Sequence, residues 1–118
     1  MQRKFRLTRS EDFKRVRRSG RSFAHPLLVL VVQSGDEGQV HVGVAASRGM
    51  GSAVQRNRAK RLLREAVRSL LPSILPGSDI LLIARPPLLA YKMPEVREAL
   101  LTLLRRAELA PAAPSDAA

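Results

Sequence analysis

Arg56, Asn57, Arg58, Lys60, Arg61, Arg64 and Arg68 fall within one short stretch in which Glu65 is the only acidic residue. A guanidinium is planar, permanently charged and forked, so it grips phosphate oxygens two at a time and stacks on bases. A cluster of such groups suits recognition of a polyanion rather than bond-making. At about 3.6 residues per turn, Asn57, Arg61, Arg64 and Arg68 share one helix face, flanked by Arg58 and Lys60, with Arg56 in the first turn. Ala59, Leu62, Leu63, Ala66, Val67, Leu70 and Leu71 recur on the other face at the three-and-four spacing of an amphipathic helix.

The elements that must hold this helix are legible around it. Ser52 followed by Gln55 fits a capping box at its start, and Pro72 and Pro76-Gly77 end it. Cations in a first turn oppose the helix dipole, so helix stability does not account for Arg56; a docked polyanion does. Ser47-Arg-Gly-Met-Gly51 is a flexible, basic, glycine-containing entry to the helix. Upstream, residues 1–9 form a basic arm, and Ser10 caps a short helix over about 11–18 that carries Phe13 and Val16 on one side. Leu27 to Val32 reads as a strand buried on both faces. After the turn Ser34-Gly-Asp-Glu-Gly38, Val40, Val42 and Val44 alternate with His41, Gly43 and Ala45 in a second strand, expected antiparallel to the first. Downstream, Asp79 to Ala84 is an apolar strand closed by Pro86-Pro87. Pro94 then opens a last helix with Val96, Leu100, Leu103, Leu104 and Ala107 on one face. The predicted fold is α+β, a two-layer α/β sandwich in the order helix, strand, strand, a further possible strand, helix, strand, helix. Residues 1–109 form a single domain, and 110–118 a disordered Ala/Pro-rich tail.

Charge follows the same division. The 118 residues carry a net +11, and arginines outnumber lysines 17 to 4. Residues 1–26 hold nine basic and two acidic groups, residues 48–68 seven and one, and the remainder five and seven. Two segments therefore own the positive charge, the footprint of a nucleic-acid binder. The absence of cysteine excludes disulfides and thiolate metal sites and suits a reducing cytoplasm. No apolar run approaches the roughly 20 residues of a membrane span, and the basic N-terminus lacks the apolar stretch of a secretory signal.

Several of these residues admit a plainer role. A charge run on an amphipathic helix is commonly a solvated face, but here the acidic partners of such a face are nearly absent. Asn57 could merely support the helix start, and Phe13 could be plain core. His25 and His41 show no partner constellation and read as structural or exposed rather than as ligands or bases, and Asp79, at the start of a strand, reads as a turn or edge residue. Glu11 and Asp12 suit a helix start better than a metal. An enzyme acting with its own residues would need a carboxylate pair, metal-ligand spacing or a nucleophile-base set, and none is present. A structural RNA-binding protein and a DNA-binding module with the arginine helix in a major groove are the alternatives.

Ala53-Val-Gln-Arg-Asn-Arg-Ala-Lys-Arg-Leu-Leu-Arg-Glu65 resembles the signature helix of the protein subunit of bacterial ribonuclease P. Arg6-Leu-Thr-Arg-Ser-Glu-Asp-Phe13, Val42-Gly-Val-Ala-Ala-Ser-Arg48 and Asp79-Ile-Leu-Leu-Ile-Ala-Arg85 resemble its flanking segments, in the same order. The likeness covers roughly residues 3–108. It implies a protein without catalytic side chains that partners ribonuclease P RNA, whose magnesium-dependent active site removes the 5′ leader of precursor tRNA. It also implies one protein per RNA with no obligate homo-oligomer, no membrane partner, no metal held by protein ligands alone, and a left-handed strand-helix-strand crossover. Carried over by position, Arg56, Asn57, Arg58, Lys60, Arg61 and Arg64 would bind RNA, with Arg48 at the loop beside them; Arg68, on the same helix face, would extend that RNA-binding row. Phe13, Arg17 and Val31 would lie at a leader-binding cleft between the sheet and the N-terminal helix. Arg17 and Val31 stand where relatives often carry aromatics, and Gly49 where a second basic residue is common.

Overall fold

A computed structural model of the chain describes residues 20–35 and 38–110. The basic arm, the short helix over 11–18, Phe13, Arg17, Glu11 and Asp12 lie outside the described residues, as does the tail from 111 onward. Strand β1 (Arg21–Ala24) turns back into β2 (Leu28–Ser34), and β3 (Val40–Ala46) leads through a single 3₁₀ turn, Arg48–Met50, to helix α1 (Ala53–Leu70). Strand β4 (Ser78–Ala84) follows, then a 3₁₀ turn at Pro86–Ala90 and helix α2 (Met93–Arg106).

The sheet order is β1-β2-β4-β3. β2 pairs antiparallel with β4 through Leu28↔Ala84 to Ser34↔Ser78, and β3 pairs parallel with β4 through Val40↔Ser78 to Ala46↔Ala84. The expected antiparallel pairing of the second and third strands is therefore corrected: they run in opposite directions but β4 lies between them. The reason is burial. Asp79, Ile80, Leu81 and Leu82 are consecutive buried residues, and a place between β2 and β3 shields both edges of the strand that carries them. Backbone bonds fix the insertion at its start. Gly35 N–H donates to the Gly77 carbonyl (3.0 Å) and Gly77 N–H donates to the Gln39 carbonyl (2.8 Å), so the β2–β3 connection straddles the residue leading into β4.

The additional strand precedes β2, in a stretch without apolar alternation. Exposed positions at Arg21, Ser22 and Ala24 hide it from any apolar pattern. Its register with β2, Arg21↔Val32 to Ala24↔Val29, is held by the turn between them. There Leu27 N–H donates to His25 Nδ1 (3.0 Å), while Arg85 and Arg106 donate to the His25 and Ala24 carbonyls (3.2 and 3.1 Å).

Both helices pack on one face of the sheet. Leu28, Leu30, Val32, Ile80, Leu82, Ala84 and the valines of β3 meet Ala59, Leu63, Ala66, Val67 and Leu70 of α1 and Val96, Leu100, Leu103 and Leu104 of α2. The stripes predicted for the two helices are thus the surfaces that build the core. The chain after α2 also tucks in: Leu109 and Ala110 are buried, and the Leu109 carbonyl accepts from Leu75 N–H at 2.9 Å. On the second face Val31 and Leu81 form a smaller cluster with half-buried Val29, Ala45 and Ile83.

Candidate nucleic-acid interface

The start of α1 is built as its sequence dictates. Gln55 N–H donates to Ser52 Oγ (3.2 Å), and Ser52 N–H donates to Gln55 Oε1 (3.0 Å), closing a reciprocal capping box. Gly51, immediately before the cap, has φ 98°, a left-handed conformation that glycine adopts without Cβ strain. No acidic residue occupies the first turn. The positive pole of the helix is therefore reinforced by Arg56 rather than offset.

Burial of the stripe turns the cations outward. Arg56, Asn57, Arg58, Arg61 and Arg68 are exposed, and Lys60 and Arg64 half-buried at the margin of the stripe. Arg68 Nη2 donates to Glu65 Oε2 (3.2 Å) on the same face of the same helix, so its charge is partly answered within the chain. Among the described residues no acid pairs with Arg56, Arg58, Lys60, Arg61 or Arg64. Arg48 opens the 3₁₀ turn that leads to the cap, which brings its backbone next to the helix start. Val54, also in the first turn, is 78% exposed, an apolar side chain among cations that helix periodicity does not single out.

Val31 stands apart from this surface. It points to the second face of the sheet and is only 2% exposed, while its half-buried neighbours Val29, Ala45 and Ile83 carry the accessible apolar surface there. The register places Gln33, Asp79 and His41 in one row across β2, β4 and β3, on the same face as Val31. Asp79 is 5% exposed, and its Oδ1 lies 3.1 Å from His41 Nδ1. One expectation is corrected here: Asp79 belongs to the central strand rather than to a turn or an edge. His41 has the structural role expected of it, through its contact with Asp79. The two residues are far apart in the chain, and only the β3–β4 pairing joins them, so no spacing motif could have revealed the contact. His25, by contrast, serves the β1–β2 turn.

Among the described residues no group of three or more His, Asp or Glu could hold a metal ion, and no helix is long and apolar enough to cross a membrane.

Fold and site together define a small, strongly basic α+β protein organised around an outward-facing cationic helix. The chain belongs to the bacterial ribonuclease P protein family, the protein component of the ribonucleoprotein enzyme that processes tRNA 5′ ends. The family's sequence pattern, described as Ribonuclease P, matches residues 1–108. Similar chains include the ribonuclease P protein component of Herpetosiphon aurantiacus, 40% identical over 92% of this chain and 89% of the relative. That of Chloroflexus aurantiacus is 42% identical over 95% and 84%. Among solved structures, the RNase P protein of Staphylococcus aureus superposes with a TM-score of 0.78 at 28% identity, covering 91% of this chain and 98% of that one. The RNase P protein of Thermotoga maritima gives 0.76 at 31% identity, over 86% and 96%.

Proposed function

We propose that this protein binds ribonuclease P RNA through α1 and its approach turn, and assists that RNA in removing the 5′ leader from precursor tRNA. The observation that carries the reading is the division of α1 into two faces. Ala59, Leu63, Ala66 and Val67 anchor it in the core, and Arg56, Asn57, Arg58 and Arg61 stand in solvent. Lys60, Arg64 and Arg68 extend the contact along the helix, and Arg48 extends it into the turn. Each forked cation neutralises phosphate and releases counterions, so about five contacts at a slope near 0.7 each give roughly a hundredfold affinity loss between 50 and 200 mM salt. Neutralisation lets a polyanionic RNA and a polyanionic substrate approach one another.

The leader lies against the second face of the sheet, on the apolar floor around Val31, with Phe13 and Arg17 assigned to leader contact by the family resemblance. Hydrolysis belongs to the RNA and the magnesium ions it holds; the described side chains do not fit a metal site of their own, and the protein contributes charge and position. One protein serves one RNA, in the cytoplasm.

The test is cleavage of a precursor tRNA at low magnesium by a bacterial ribonuclease P RNA, with and without this chain. Rescue of correct 5′ cleavage that also requires the RNA is the expected result. Cleavage by the chain alone would reveal a protein active site. Tight RNA binding without rescue would favour a structural RNA-binding role.

A further inference from the structure

On its flank away from α1, helix α2 borders a groove with the opposite electrostatic character to the arginine face. Arg97 Nε donates to Ser69 Oγ of α1 (3.1 Å), which fixes the flank facing α1. Glu95, Glu98 and Thr102 lie on the other flank, and the β1–β2 turn forms the facing wall. The groove has a volume of about 580 Å³, within the range of sites that take small ligands or single side chains with their neighbours. Its walls are mainly apolar, with Pro26 and Leu27 on one side and Ala99 on the other. Tyr91 stands at the groove with 44% of its surface exposed.

The carboxylates of Glu95 and Glu98 line the groove, while the nearby guanidiniums of Arg85 and Arg106 are engaged by the His25 and Ala24 carbonyls of the turn. Glu95 Oε2 accepts from the Lys92 backbone N–H (3.2 Å), and Glu98 is exposed with no cation paired to it among the described residues. On a chain of net +11, two carboxylates flanking an apolar groove repel phosphate locally and select the opposite sign. An aromatic face beside a carboxylate suits a guanidinium best, because that group is flat, weakly hydrated and able to stack while it pairs. We propose that this groove is a protein-docking site that receives an arginine side chain carried on an apolar segment of a partner polypeptide. The guanidinium stacks on Tyr91 and pairs with Glu98, while the flanking apolar residues cover Pro26, Leu27 and Ala99. The site is independent of the RNA-facing helix, so the protein can hold RNA on one side and a polypeptide on another.

Tyr91 is the only tyrosine and there is no tryptophan, so the intrinsic emission of the full chain reports on this groove alone. The full chain is titrated with the acetylated, amidated tripeptide Leu-Arg-Leu and with its citrulline counterpart, which has nearly the same shape but no charge. The arginine peptide should change Tyr91 emission saturably, and the citrulline peptide should bind about threefold more weakly or worse, the scale of one partly exposed ion pair. Glu98→Gln should weaken the arginine peptide by a similar factor, leave the citrulline peptide unchanged and preserve the melting curve, since Glu98 is exposed. An absent response, equal binding of the two peptides, or insensitivity to Glu98→Gln would overturn the proposal. It would also be overturned if ribonuclease P RNA displaced the peptide from the groove, or if emission changed with protein concentration alone, which would make the occupant a second copy of the chain.

Discussion

His41 Nδ1 lies 3.1 Å from Asp79 Oδ1, joining β3 to the central strand on the face of the sheet that the two helices leave uncovered. A carboxylate only accepts hydrogen bonds, so the imidazole donates from Nδ1. The same carboxylate lies close to the backbone of Gly35, just after β2. A Cβ added to Gly35 would stand 2.6 Å from Asp79 Oδ1, closer than van der Waals contact allows.

Gly35→Ala should therefore destabilise the domain by about 1–3 kcal/mol, the usual cost of overpacking. A double-mutant cycle with His41→Ala and Asp79→Asn should show a coupling above about 0.5 kcal/mol, because the two groups share one contact. Chemical denaturation measures both. An additive cycle would reduce the pair to coincidence.

Ser52→Ala removes one half of the capping box and should cost about 1 kcal/mol of stability. Gln55→Ala removes the other half, the acceptor for Ser52 N–H. Denaturation midpoints decide the matter; an unchanged midpoint for Ser52→Ala would mean that solvent caps the helix equally well.

Arg56→Ala, Arg58→Ala and Arg61→Ala should each weaken binding of ribonuclease P RNA and lower the salt dependence by about 0.7–0.9 for every phosphate left without its cation. Their melting curves should match the parent, since all three side chains are exposed. Collapse of the circular-dichroism signal in any of them would overturn the surface assignment. Arg68→Ala should lose less affinity, because Glu65 already answers part of its charge.

Phe13→Ala should weaken binding of precursor tRNA by the assembled ribonucleoprotein more than binding of mature tRNA. An equal loss for both substrates would remove Phe13 from the leader cleft and leave it a core residue.

The parts of this fold that are legible in the sequence are those governed by local periodicity. The stripes of α1 and α2 and the capping box at Ser52 each follow from residues a few positions apart, and each stands in the structure as the spacing predicts. The same locality makes the cationic face readable, because burying Leu63 and Val67 leaves Arg61 and Arg64 only the outer surface and its margin. Strand neighbours follow another rule. The choice between a β2–β3 hairpin and an inserted β4 depends on which strands pair when the sheet assembles, a property of the whole sheet rather than of either strand alone. β1 gives no apolar signal because its side chains are largely solvated and its place is set by backbone pairing and by Arg85 and Arg106. The His41–Asp79 contact is hidden for a related reason: it exists only in the register between two strands separated by a whole helix.

The insertion of β4 also sets an order of events. Because the central strand follows α1 in the chain, the arginine helix leaves the ribosome before the strand that completes its foundation. A chain halted before Ser78 carries the full cationic row of α1, yet lacks the middle of the sheet against which Leu63, Ala66 and Val67 are buried. Charge thus arrives before shape. A prematurely ended product would offer its cations to any polyanion in no fixed orientation, and the finished domain differs from such a fragment less in charge than in how firmly it aims that charge.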